Sequence, residues 1–175
     1  MLSSQNIATG LFFIPLAITI SYMDIRYRRI PNNLVLLTLM VGLIVNTIFG
    51  GTHGLFASLS GSVLAFGLMF LLHAFGTMGA GDVKLFAAIG AVFGSSLVLP
   101  TLVIVALTGG ALAICQMIYA RRVGTTMFGV FQFFYGLLPG QRVPRFEVPA
   151  DRSYTLPYAV PICFGSLIAF FLFRA

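Results

Sequence analysis

The sequence has little charge of either sign, and very little that is negative. Four residues are acidic and ten are Lys or Arg in a chain of 175. Charged residues make up 8%, where a soluble domain carries ~25%. Tryptophan is absent, and cysteine occurs twice. A chain with 59% hydrophobic residues has too few polar groups to cover a soluble fold of this size. That shortage excludes an ordinary soluble enzyme and a disordered protein. Cys115 and Cys163 each lie inside an apolar stretch, without a CxxC neighbour. They exclude a disulfide scaffold and give no zinc-ligand spacing, so neither a metal nor a cofactor is expected. A mean hydropathy of +1.03 leaves an integral membrane protein.

What is present is a series of long apolar runs. A helix needs ~20 apolar residues to cross a bilayer, with 17 often enough. Six candidates follow: about 7–23, 34–49, 55–75, 83–94, 97–120 and 156–173. The fourth and fifth can part at Gly94-Ser95-Ser96 or at Pro100, and the first break is favoured, which makes the fourth span short. The stretch 127–138 is apolar but too short to span, and suits an interfacial or re-entrant segment. Residues 121–155, with Pro139, Pro144 and Pro149, read as a polar loop. The whole chain, 1–175, reads as a single polytopic domain.

The net charge of +6 does not point to nucleic acid, because the basic residues stand at the ends of apolar runs. The N-terminus has no basic segment ahead of its apolar run, and Arg26, Arg28 and Arg29 follow it. It reads as an anchor rather than a cleaved signal, with the N-terminus outside. Six spans then place Arg26, Arg28, Arg29, Lys84, Arg121, Arg122, Arg142, Arg145 and Arg152 on the cytoplasmic side, and only Arg174 opposite. The expected fold is therefore all-α, with six transmembrane helices and both termini outside.

The few acids are informative. Glu147 and Asp151 fall in the polar loop. Asp24 closes the first span and Asp82 opens the fourth, where an ionisable group asks for a reason. Two complete spans separate them, so both face the cytoplasm at similar depth. Two carboxylates at close range cannot both ionise easily, and they share a proton. One can deprotonate a water while the other protonates a leaving amine. Plainer readings stand beside this one. Asp24 could pair with Arg28 one helical turn on, and Asp82 could cap the first turn of its helix. Lys84, two residues from Asp82, would not face it and reads first as a topology anchor.

The context of Asp82 is glycine-rich: Gly76-Thr77-Met78-Gly79-Ala80-Gly81-Asp82-Val83-Lys84. Uncovered backbone beside the acid could receive an extended peptide by strand addition. A plain flexible loop would have the same composition. Around Asp24 the chain reads Asp24-Ile25-Arg26-Tyr27-Arg28-Arg29-Ile30-Pro31-Asn32-Asn33, so a helix ends and a short basic turn follows.

At these residues the chain resembles a known family. Gly79-Ala80-Gly81-Asp82 is similar to the GxGD motif of intramembrane aspartyl proteases. Its extension to Val83-Lys84-Leu85, with the upstream Asp24 to Arg29 block and Ile30-Pro31-Asn32, resembles the prepilin peptidases. Leu156-Pro157-Tyr158 adds to the likeness, which runs from about residue 10 to 173 and is poorest over 121–155. The resemblance implies an aspartic endopeptidase of the bacterial inner membrane. It would remove the short basic leader of type IV or Flp-type prepilins and pseudopilins at the cytoplasmic face. Asp24 and Asp82 would be the catalytic pair, with Gly79, Gly81 and Lys84 as candidate substrate contacts, and no metal needed. The expected partners are the prepilin's membrane helix and lipid. Larger members carry an N-terminal segment with paired CxxC motifs and also methylate the product. Without that segment, the compact tight-adherence form is expected, and methyltransferase activity is not. Two rivals remain: a small proton-coupled transporter, whose acids should lie nearer mid-membrane, and a non-enzymatic membrane subunit of pilus assembly.

Overall fold

The computed structural model describes residues 4–75, 78–119 and 158–174. The loop 121–155, the stretch 127–138, and Glu147 and Asp151 lie outside them, as do Gly76, Thr77, Leu156 and Pro157. Every described element is a helix: α1 (Ser4–Tyr27), α2 (Asn32–Ala74), α3 (Ala80–Phe93), α4 (Ser95–Tyr119) and α5 (Ala159–Phe173). α1, α2 and α4 are long and apolar enough to cross a membrane, while α5 is apolar but shorter. Large side chains such as Phe12, Ile18, Ile48, Phe56, Val63, Val103 and Phe171 stand exposed on them. With the composition, these faces identify an integral membrane protein.

The chain divides into two compact units, Met1–Gly109 with Pro157–Ala175, and Gly110–Leu156. In the second, the described residues are the last turns of α4, where Cys115 is exposed. Everything that follows concerns the first.

Local chemistry explains where the helices stop. α1 runs past Asp24 to Tyr27 and ends at Arg28, which takes a left-handed φ of 50° while its N–H still donates to the Asp24 carbonyl at 2.9 Å. Pro31 then caps α2 in an extended conformation, and its carbonyl accepts from the N–H groups of Leu34 and Val35. α2 is not one rod. Gly51, at φ 57°, breaks it, and its limbs fold back on each other. A Cβ on Gly54 would sit 1.8 Å from the Asn46 carbonyl oxygen, so only glycine permits that return. α3 ends at Gly94, which has φ 77°, and α4 starts at once and continues through Pro100.

α3 sits at the centre. Asp82, Val83 and every residue from Leu85 to Phe93 are buried, whereas Lys84 is exposed. A helix buried on all faces needs apolar side chains all round, which Leu85-Phe86-Ala87-Ala88-Ile89 supplies. Phe13 and Ile20 of α1, Met69 of α2, Val98 of α4, and Ile162 and Phe170 of α5 join it in one core. Phe93 meets Phe13 edge-on at 5.3 Å and stacks on Phe170 at 6.2 Å.

The α2–α3 contact is backbone against backbone. A Cβ on Gly61 would lie 2.3 Å from the Gly90 carbonyl oxygen, and one on Gly90 would lie 2.6 Å from Ala65 Cβ. The two small-residue stripes, Ala57, Gly61 and Ala65 on one helix and Gly90 and Gly94 on the other, face each other. Such stripes let helices approach closely where lipid tails supply no hydrophobic drive.

Candidate active site

Asp24 and Asp82 are the two buried acids among the described residues, at 7% and 8% exposure. They come from α1 and α3 and lie within electrostatic reach of each other. Each has one oxygen held by a main-chain N–H at the start of a helix. Asp24 reaches across to α5, whose first N–H, on Ala159, donates to its Oδ2 at 3.0 Å. Asp82 occupies the third position of α3. The Gly79 N–H donates to Asp82 Oδ2 at 3.3 Å, and the Asp82 N–H returns a bond to the Gly79 carbonyl at 3.1 Å. Orphan N–H groups and the helix dipole make both N-termini favourable places for a carboxylate.

The plainer readings are thus partly present. Asp82 does complete the cap of α3, from the third position rather than the cap itself, which Gly79 holds. The Arg28 charge bears on Asp24, but the hydrogen bond that fixes this carboxylate comes from Ala159, remote in sequence. Helix-capping alone would be satisfied by two acids far apart. Here Asp24, from the end of α1, reaches the start of α5, Asp82 stands in the first turn of α3, and the two carboxylates lie within electrostatic reach of each other. A carboxylate offers about four acceptor sites, so fixing one oxygen of each leaves capacity for a shared proton and a water.

The glycines are placed as follows. Gly79 is exposed, with φ −75° and ψ 148°. Its own N–H and carbonyl are taken up by the cap, so it is not an open strand edge. A Cβ there would stand 3.1 Å from Asp82 Oδ2, and its absence keeps one side of that carboxylate uncovered. Gly81 lies inside the first turn of α3 and packs on Ile30, whose Cδ1 a Cβ would meet at 3.6 Å. That contact joins the Ile30-Pro31-Asn32 turn to the glycine block. Lys84 is exposed, off the side that Asp82 occupies.

Tyr158 and Cys163 also border the pair. Tyr158 precedes Ala159, is half-buried, and lies within electrostatic reach of Asp82. The Cys163 thiol shares a hydrogen bond with Ser21, and both acids bear on it. Cys163 lies in the buried core, one helical turn beyond Ala159. Among the described residues, no group of three or more His, Cys, Asp or Glu side chains is gathered closely enough to hold a metal ion.

Comparison with known proteins decides the family. The model of the type IV leader peptidase family matches residues 11–114, more than half of the chain, and takes in both aspartates. The chain belongs to the type IV leader peptidase family. A curated prepilin leader peptidase/N-methyltransferase from Legionella pneumophila is 33% identical over 140 residues, covering 74% of this chain and 48% of that relative. The chain thus spans about half the length of the leader peptidase it matches. No solved structure matches.

Proposed function

We propose that this leader-peptidase family member is a membrane-embedded aspartic endopeptidase that removes the short basic leader from type IV or Flp-type prepilins. One observation carries the reading: Asp24 and Asp82, distant in sequence, are both buried, each held by a main-chain N–H at a helix start, and lie within electrostatic reach of each other. Family membership supplies the reaction class.

The reaction is peptide hydrolysis. One carboxylate takes a proton from water, and the resulting hydroxide attacks the scissile carbonyl. The C–N bond then breaks, and the leaving amine takes its proton from the other acid. The proton inventory belongs to the pair. Gly79 serves the substrate by what it lacks, since a side chain there would crowd Asp82, and Gly81, packed on Ile30, is proposed as a substrate contact beside it. Lys84 is proposed as a contact at the membrane edge, toward substrate or headgroups.

With the two limbs of α2 counted separately, the chain crosses the bacterial inner membrane six times. Both termini then lie outside, and the acids lie at the cytoplasmic edge, where a basic leader would wait. The partners are the prepilin's apolar helix and surrounding lipid. The proposal is confined to hydrolysis; the methyl transfer in the Legionella relative's name is left to that protein.

The test is a cleavage assay. The chain is co-expressed with candidate prepilins, and the mobility shift is followed for wild type, Asp24→Asn and Asp82→Asn. A shift that needs both aspartates supports the peptidase. Full cleavage by either variant removes the dyad. No cleavage of any prepilin by well-inserted wild type returns the weight to a transporter or an assembly subunit.

A further inference from the structure

The loop from α2 to α3 delivers the main chain to Asp82, and its last described residues before α3 are Met78 and Gly79. At the end of α2 stands His73, half-buried, its ring in tilted contact with Phe70 at 6.3 Å. Phe70 in turn stacks on Phe66 at 5.6 Å. A basic side chain in the last turn of a helix ordinarily serves that helix's own free carbonyls. His73 instead reaches forward, and its Nδ1 lies 2.7 Å from the Met78 carbonyl oxygen. A carbonyl oxygen only accepts, so Nδ1 bears the proton and donates.

The Met78 carbonyl and the Gly79 N–H are two ends of one peptide group. That same N–H donates to Asp82 Oδ2 at 3.3 Å. The imidazole N–H, the peptide and the carboxylate therefore form an unbroken chain. A planar peptide transmits orientation from one end to the other. Donation into its carbonyl also polarises its N–H and strengthens the next bond.

From this chain we infer that His73 is a positioning residue for Asp82, acting through the Met78–Gly79 peptide. The inference rests on the peptidase reading for its effect on catalysis, but not for its effect on the loop. His73 sets the plane of the peptide and so the direction from which Asp82 is held. Its role is orientation, since the peptide stands between it and the carboxylate.

Three variants separate the hydrogen bond from the ring. His73→Ala removes both, His73→Phe keeps the packing on Phe70, and His73→Asn returns an N–H near the position of Nδ1. In a prepilin cleavage assay, Ala and Phe are expected to lower kcat about fivefold, the worth of one hydrogen bond, with KM little changed. Asn should recover most of it. Wild-type kcat in His73→Phe, or His73→Asn no better than Ala, overturns the inference. Hydrogen–deuterium exchange of the full chain in detergent gives a readout independent of activity. Exchange at the Gly79 amide should quicken in Ala and Phe and slow again in Asn; an unchanged Gly79 amide also overturns it. If wild type cleaves no prepilin, the peptidase reading fails while the exchange result still decides the role of His73.

Discussion

The two ends of α3 are both polar and both buried, yet they are built differently. At the end where α3 stops, the free carbonyls of Ala91 and Val92 are capped by side chains from three other helical segments. Asn46 Nδ2 donates to both, at 2.9 and 3.1 Å, and to Ser58 Oγ at 2.7 Å. Ser58 Oγ donates to the Ala91 carbonyl at 2.7 Å. Arg174 Nη1 donates to the Val92 carbonyl at 3.0 Å, and Gln5 Nε2 donates to Asn46 Oδ1 at 2.8 Å. Asn6 holds the Arg174 carbonyl in turn. A cation and amide donors at a helix C-terminus suit both the dipole and the orphan carbonyls. At the starting end, two like charges are set near each other, which stability alone would avoid. Donors matched to acceptors suit a structural end; acid beside acid is what the proposed hydrolysis needs.

Substitutions at the two ends are therefore expected to fail in different ways. The largest effect belongs to the acid end. Asp24→Asn or Asp82→Asn keeps the volume and the accepting oxygen but removes the acid, so cleavage should fall at least about a thousandfold. The melting temperature in detergent should hardly move. A variant that loses its fold along with its activity would make the acids structural and erase the contrast.

Next come the middle of α3 and its closing end, where stability should change and chemistry should not. Gly90→Ala places a Cβ 2.4 Å from the Gly61 carbonyl oxygen, an overpacking worth about 1–3 kcal/mol or more if the helices cannot part. Little stable protein is expected, as read by the yield of monodisperse material. Asn46→Ala takes one donor from each of the Ala91 and Val92 carbonyls, which keep Ser58 and Arg174, and leaves the Gln5 amide without its acceptor. It should cost about 3 kcal/mol in thermal stability, while cleavage per folded molecule stays at the wild-type level. Asn46→Ala protein that melts normally but cleaves poorly would mean that the closing end also works on substrate.

The two ends were not equally legible in the sequence. The acid end was visible because charge is so scarce: two lone aspartates, one beside a glycine block, stand out against apolar runs. What could not be read was how each is held. The Ala159 N–H lies in the last helix, and no spacing rule connects it to Asp24. The closing end was passed over. Asn46 and Ser58 are single polar residues within apolar stretches, and each is a signal that something must satisfy it. The sequence reading places Arg174 as the one basic residue opposite the others, and the structure adds that its guanidinium donates to the Val92 carbonyl at the end of α3. Topology rules treat a terminal arginine as a free charge and cannot see that it caps a helix. The all-helical, apolar character of the chain is readable from its apolar run lengths, and the break at Gly94 from its glycine. The sequence reading starts the first span at 7 and ends it at 23, whereas α1 runs from Ser4 to Tyr27, because polar residues at an interface continue a helix that lipid would not shelter.

The smallest effect sharpens the comparison at a place that belongs to neither end. Gly61 and Gly67 share the second limb of α2, and composition gives no reason to treat them differently. The structure does. A Cβ on Gly61 would meet the Gly90 carbonyl oxygen at 2.3 Å, while one on Gly67 would meet nothing within 4 Å. Gly61→Ala should therefore destabilise strongly, by pushing α2 off the helix that carries Asp82. Gly67→Ala should be neutral or stabilise by at most about 1 kcal/mol, the helix preference of alanine over glycine. Thermal melts of the two proteins, with cleavage measured beside them, read the difference directly. Two glycines that respond alike would mean that α2 and α3 do not approach backbone to backbone. The placement of Asp82 would then need another support than the one glycine gives it.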